Sequence, residues 1–469
     1  MTRRTMQSTV RFLALSLTLA ACRAVPTPVA APDGTPPVWT RNATIYEVNM
    51  RHFTPEGTVV AAQRHLPRLR RLGVDILWIM PVQPIGRVKR SGSLGSPYSV
   101  ADYTAINTEY GTAADFKAFV DDAHRQGMKV ILDWVPNHTA FDHVWITQHP
   151  DWYVHLADGS ISNARDNEGR ATNWTDVAEL NYDNANLRQA MIADMRWWLT
   201  NMGIDGFRCD VAMGVPNDFW VVALQAMMAV RPDIFMLAEA ESPTLDGTFH
   251  MSYGWEFHRL LNQLAQGRRP TDSLDAYFAR QTRNYPARDI HMYFTSNHDE
   301  NSWNGTEFER MGANHQAAFV LAATAQSSMP LLYTGQEVSN RKRLRFFDKD
   351  TVDWNGPSLA SFYSSVFALK HAEEALSSGT PGGEQTTLAT DGGSRVYAFS
   401  RTRGANTVVV ALNFGDAPLT VRYDGFSHPG SYTDWFSRRD ETLSSAGRLE
   451  IPEHGYRVLV RGGAVIPPP

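Results

Sequence analysis

Four acidic residues close four short apolar runs: Asp133 in "MKVILDWV", Asp210 in "IDGFRCD", Glu239 in "DIFMLAE" and Asp299 just after "DIHMYFTSN". Three of them have a cationic or imidazole neighbour in Arg208, His138 or His298. Carboxylates beside such groups are equipped to move protons or to attack a substrate. A lone aspartate at the end of a strand usually caps the helix that follows it. Four such residues at four strand ends exceed what capping requires. In an extended chain residues two apart share a face, so Arg208 and Asp210 point the same way. There the guanidinium keeps the carboxylate ionised, while Cys209 faces the opposite side as a packing residue.

The elements that must position these groups are parallel strands. Ala43 to Met50, Val74 to Pro81, Met128 to Val135, Ile204 to Asp210, Asp233 to Glu239, Asp289 to Asn297 and Met329 to Gly335 are continuous apolar runs alternating with helical stretches. That pattern marks βα units. A (β/α)8 barrel of about 250 residues gives roughly 31 residues to each unit. Strand ends at 50 and 81 lie 31 apart, and those at 210 and 239 lie 29 apart. The 60 residues between 239 and 299 leave room for one more strand, placed at Phe249 to Phe257. The 77 residues from 133 to 210 exceed one unit, so an inserted lobe is expected after strand 3. All four acids then fall at C-terminal strand ends, the face where barrel enzymes carry their chemistry.

Composition narrows the class. The chain has 469 residues, 43% hydrophobic and 20% charged, with a net charge of -5, so a large core is affordable and no basic excess points to nucleic acid. The basic residues Arg3, Arg4 and Arg11 precede an apolar run from Phe12 to Ala21, too short to span a bilayer and read as an export signal over residues 1-21. Leu19, Ala20 and Ala21 lead into Cys22 in a pattern that resembles the lipobox of bacterial lipoproteins. This resemblance implies lipidation of Cys22, an exported protein held on a bacterial membrane by its lipid alone, and a Pro-rich tether over residues 22-39. Only Cys22 and Cys209 are present, so a lipidated Cys22 leaves no internal disulfide and no cysteine metal site.

From about Thr40 to Val460 the chain resembles the α-amylase family, on "DWVPNH" (Asp133 to His138), "GFRCD" (Gly206 to Asp210), "LAE" (Leu237 to Glu239) and "NHD" (Asn297 to Asp299), in the family's order. "GSPYSVADY" (Gly95 to Tyr103) and "LLYTGQE" (Leu331 to Glu337) add to it. The resemblance implies a retaining hydrolase of α-1,4-glucosidic bonds in starch-like glucans or maltooligosaccharides. Asp210 is then the nucleophile, Glu239 the acid and base, and Asp299 the third acid that grips sugar hydroxyls. Retention needs the two reacting carboxyls about 5 to 5.5 Å apart, which adjacent strand ends allow. Tyr98 is implied to stack under the reacting sugar, and His138, Arg208 and His298 to bind at the same place. Asp102, Asp133 and Asn137 are assigned to support. Glu241, two residues after Glu239, stands as a rival acid.

The same likeness leaves open transglycosylation, α-glucosidase action, and a non-catalytic sugar-binding barrel. No cofactor is required for the chemistry. Asn137 matches a family calcium ligand, but "VAMGV" (Val211 to Val215) lacks the cation that many relatives carry after the nucleophile, which puts the linked calcium ligand in question. The barrel is expected over 40-375, with a lobe at about 139-181 that walls the cleft. Strand-like runs from Arg395 to Tyr423 and Gly447 to Val460 predict a C-terminal antiparallel β-sandwich over 385-462.

Overall fold

The structure, a computed structural model, describes Met1 and residues 34–463. Cys22, the export segment and most of the tether lie outside the described residues. In chain order the strands are β1 (Ile45–Val48), β2 (Ile76–Ile79), β3 (Lys129–Trp134), β4 (His138–Ala140), β5 (Val177–Glu179), β6 (Gly206–Cys209), β7 (Phe235–Ala238), β8 (Met251–Tyr253), β9 (Ile290–Phe294) and β10 (Ser328–Tyr333). All but β4 and β5 close into a parallel barrel in the order β1-β10-β9-β8-β7-β6-β3-β2. The strand expected between 239 and 299 is β8, inside the segment named for it.

Period-two alternation builds the barrel. Ile45, Ile76, Trp78, Ile131, Phe235, Leu237 and Met251 point inward into one apolar cluster. Their neighbours Tyr46, Leu77, Leu132, Phe207 and Cys209 point outward into the larger layer beneath the helices. Cys209 is thus a buried packing residue. Gly206 is required because β6 approaches β7 closely: a Cβ there would stand 1.8 Å from the Phe235 carbonyl oxygen. The helix Ala113–Arg125 shows how the outer layer forms. Thr112 and Asp115 make a reciprocal capping box at its start, and Phe116, Phe119, Val120 and Ala123 bury one stripe. Such a cap contributes about 1 kcal/mol.

The lobe between β3 and β6 is built on the antiparallel pair β4 and β5, with His138 opposite Glu179. Its composition reads as loop, yet short bridges such as His155 with Ile161 and Asn163 with Ala178 extend this pairing. After the helix Ala360–Ala372 come β11 (Glu384–Thr387), β12 (Val396–Arg403), β13 (Asn406–Asn413), β14 (Leu419–Tyr423), β15 (Gly430–Asp434), β16 (Asp440–Leu443), β17 (Gly447–Ile451) and β18 (Gly455–Arg461). They form a six-stranded sheet in the order β11-β12-β13-β18-β15-β16 and a two-stranded sheet of β14 and β17. Val396, Val409, Val421, Leu449 and Leu459 fill the space within this domain. Among the described residues no helix is long and apolar enough to cross a membrane.

Candidate active site

At the C-terminal mouth of the barrel, Arg208 is the hub. Its side chain is fully buried, and its Nη1 lies 2.9 Å from Asp133 Oδ1 and 2.9 Å from Asp210 Oδ1. Its Nη2 lies 2.8 Å from Glu239 Oε1. Nε donates to the Tyr253 hydroxyl at 3.1 Å. One guanidinium therefore joins carboxylates from β3, from the end of β6 and from the end of β7. Burial works against its charge, but Asp133 and Glu239 hold its proton affinity well above the ordinary value.

The carboxyls respond to the same burial. It pushes Asp133 and Asp210 up to about 6, against the opposing pull of Arg208. It pushes Glu239 up to about 7, with Asp210 and Asp299 adding to the rise. Val211 sits in the left-handed region at φ 44, an uncommon place for a β-branched residue. Its N–H donates to Glu239 Oε2 at 2.9 Å, so the strained residue after Asp210 orients the neighbouring acid.

A second chain of contacts runs across the barrel. His298 Nδ1 lies 2.5 Å from Glu47 Oε1, and its Nε2 meets the Tyr98 hydroxyl at 2.8 Å and Asp299 Oδ2 at 3.4 Å. Burial alone would lower this imidazole, but Asp299 and Glu47 raise it to about 9, so it is an imidazolium near neutrality. The Tyr98 hydroxyl donates to Asp133 Oδ2 at 2.9 Å, and Trp78 Nε1 donates to the same oxygen at 3.0 Å. The Tyr98 ring stacks on His298 and on Phe346, with centroids 5.3 and 6.1 Å apart.

These groups open into a cleft of about 580 Å³ lined by Tyr98, His138, Asp210, Glu239, His298 and Asp299, together with Trp174 and Asp176 of the lobe and Trp303 and Phe346 of the barrel loops. Burial drives His138 down to about 4, so it is neutral there. Asp133 lies beneath the cleft, fully buried.

Asp102 stands apart. It is exposed and accepts from the Thr104 N–H, holding its own turn together. Glu241 is not among the residues that line the cleft: its Oε2 accepts from the N–H of Glu256, in the first turn of the helix Trp255–Ala265. The resemblance offers Asn137 for calcium, but its Nδ2 donates to the Arg165 carbonyl at 3.1 Å and reaches Glu179 Oε2 at 3.5 Å. Among the described residues no group of three or more His, Cys, Asp or Glu could hold a metal. Calcium takes 6 to 8 oxygens; here the Arg165 carbonyl and the Glu179 carboxylate are bonded to the Asn137 amide.

Sequence reasoning passed over Glu47, Trp78, Tyr253, Trp174, Asp176 and Trp303. Glu47 carried a signal: an acid two residues after the inward Ile45, inside an apolar strand. The lobe residues carried none, because no period places them.

A family profile described as "Alpha amylase, catalytic domain" matches residues 48–360, and "Alpha amylase, C-terminal all-beta domain" matches residues 388–460. Alpha-amylase MalA of Haloarcula japonica is 30% identical over 403 residues, covering 82% of this chain and 57% of that protein. The trehalose synthase of Pimelobacter sp. is 36% identical over 210 residues, covering 38% of this chain and 35% of its own length. The chain thus spans little more than half, or less, of these curated relatives. Among solved structures, the maltogenic alpha-amylase AmyB from Thermotoga neapolitana superposes with a TM-score of 0.81 at 26% identity, covering 90% of this chain and 98% of that one. An alpha-amylase from Lactobacillus plantarum gives 0.80 at 29%, covering 90% and 99%.

Proposed function

The chain belongs to the α-amylase family, and from that premise we propose that it cleaves α-1,4-glucosidic bonds of starch-like glucans or maltooligosaccharides with retention, by double displacement. The observation that carries the reading is that one buried guanidinium binds both Asp210 and Glu239, at the ends of the paired strands β6 and β7. Two carboxyls joined to one guanidinium at adjacent strand ends are placed as the close nucleophile and acid of a retaining pair require.

Asp210 attacks the anomeric carbon as Glu239 gives its proton to the departing glycosidic oxygen. Glu239 then takes a proton from water, which opens the glycosyl-Asp210 ester and releases the sugar with its original configuration. Burial keeps Glu239 protonated near neutrality for the first step. Asp299, on the cleft wall beside the His298 imidazolium, receives sugar hydroxyls as positive charge grows on the ring. Proton NMR during hydrolysis of maltooligosaccharides tests this: the first product is the α anomer. A β anomer as first product overturns the retaining assignment. The glycosyl-Asp210 ester is equally open to capture by a sugar hydroxyl, and the ratio of transfer to hydrolysis products measures that route.

The site of action is part of the proposal. Export and lipidation at Cys22 place the catalyst on a bacterial membrane through acyl chains alone, a reading supported by the residues around Cys22. Mass spectrometry of the mature N-terminus tests it: an unmodified N-terminus downstream of Cys22 means a freely released enzyme.

A further inference from the structure

We propose that Trp174 and Asp176, on the inserted lobe, form a separate sugar subsite that binds a glucosyl unit of the α-glucan away from the bond being cut. The inference rests on the activity proposed above. Its segment, "NWTD" (Asn173 to Asp176), leads into β5 and is tied down at its backbone: the Trp174 N–H donates to Thr172 Oγ1 at 3.2 Å, and the Asp176 carbonyl accepts from Ser99 Oγ at 3.0 Å. The backbone is fixed while both side chains are left over for the cleft.

Each side chain lacks what a folded protein normally supplies. The Trp174 indole is 38% exposed and leans on the His138 ring, with centroids 6.0 Å apart. Among the described residues it and Trp303 are the exposed large aromatic side chains, and both line this one cleft. An exposed indole presents a flat apolar face to the ring C–H groups of a sugar. Asp176 is only 7% exposed, yet among the described residues its Oδ2 has no hydrogen-bond partner and its carboxylate no ion pair with a lysine or arginine. Its charged neighbour would be His138, which burial keeps neutral. A buried oxygen without a donor costs about 1–3 kcal/mol. A bound glucosyl unit removes both deficits at once, covering the indole with its ring and giving a hydroxyl proton to the carboxylate. Trp303 packs instead on Phe346 and Phe347 and brings no carboxylate, so the lobe subsite is the one with a polar anchor.

Trp174→Ala and Asp176→Asn test this, with the ratio of kcat/KM for maltoheptaose to that for an aryl α-glucoside as the readout. A long substrate reaches the lobe and the short one does not, so each variant lowers the ratio by roughly tenfold, the equivalent of about 1.4 kcal/mol. Trp174→Phe retains an aromatic face and falls between. A ratio within twofold of the parent overturns the subsite while leaving the proposed activity standing. If the parent protein hydrolyses neither substrate, the activity reading fails, and calorimetric titration with maltoheptaose decides the subsite. A Kd raised about tenfold in Trp174→Ala supports it, and equal binding, or no binding to the parent, overturns it.

Discussion

Arg208 at the mouth of the barrel and Arg401 at its junction with the C-terminal domain are both fully buried guanidiniums, and they are held in opposite ways. Arg208 is surrounded by the carboxylates of Asp133, Asp210 and Glu239. Arg401, on β12, among the described residues bonds carbonyl oxygens alone: Gly383 at 2.8 Å, Ala325 at 2.7 Å, Thr324 at 3.1 Å and Ser377 at 3.4 Å. Beside it Lys370 is buried too, donating to the carbonyls of Ser328 and Leu376. Burial drives Arg401 down to about 9 and, with Arg401 nearby, Lys370 well below its usual value. Arg208 keeps its charge because its partners are charged. The comparison teaches that burial of a cation is not itself a mark of function. Thr324 and Ala325 stand at the end of the helix His315–Thr324, so Arg401, bonded to their carbonyls, caps that helix from the other domain. Arg208 instead organises the carboxyls to which the proposed mechanism gives the attack and the proton transfers.

The largest effect belongs to the group that Arg208 positions for attack. Asp210→Asn, nearly isosteric, removes the nucleophile and lowers kcat on maltooligosaccharides on the order of 10⁴-fold or more. Circular dichroism should show the fold retained. A loss within tenfold sinks the assignment. Arg208→Met, which leaves three carboxylates buried without their cation, lowers kcat/KM by about 10³-fold and moves the acid limb of the pH profile upward as Asp210 becomes harder to ionise.

Glu239→Gln lowers hydrolysis of natural glucans by about 10²- to 10⁴-fold. It spares the first step with aryl glycosides whose leaving groups need little protonation, a step seen as a burst of released phenol. Equal loss on both substrate classes contradicts the acid role.

The protonation states set a fourth expectation. Activity needs Asp210 ionised and Glu239 protonated, and the cluster places those changes near about 6 and about 7. The profile of kcat/KM against pH is therefore a narrow bell, falling below about 6 and above about 7, with limbs that belong to the coupled group. A flat profile from pH 5 to 9, roughly one unit or more beyond both limbs, contradicts this charge arrangement.

The smallest effect on activity separates the two arginines. Arg401→Met leaves kcat/KM within about twofold, yet takes a donor from four buried carbonyls, and lowers the unfolding free energy by about 1–3 kcal/mol in denaturant titration. If Arg401→Met lowers kcat as far as Arg208→Met does, the division between organising and docking cations is wrong.

Much of the site was legible from the chain. Asp210, Glu239 and Asp299 end apolar runs, and period two sends Arg208 inward with Asp210 while Cys209 turns outward. The lobe after β3 follows from residue spacing alone. Asp102, assigned to support by the resemblance, lies exposed and closes a local turn on Thr104. Glu241 shows where period two stops: β7 ends at Ala238, and the chain then bends so that its carboxylate accepts from the first turn of the next helix.

The sequence by itself determined which side chains face into the barrel, because the alternation of an extended strand is a local property of the backbone. It also determined how many strands the chain could supply. Only the tertiary structure decided who meets whom across the closed ring. Glu47 and His298 are 251 residues apart, yet in contact because closure sets β1 beside β10 and β10 beside β9. The same holds for Trp174 and Asp176, brought to the cleft by the folding back of the lobe, and for Arg401, docked against carbonyls of another domain. Such contacts depend on long-range packing and on the neutralisation of buried charge, and neither leaves a period in the chain.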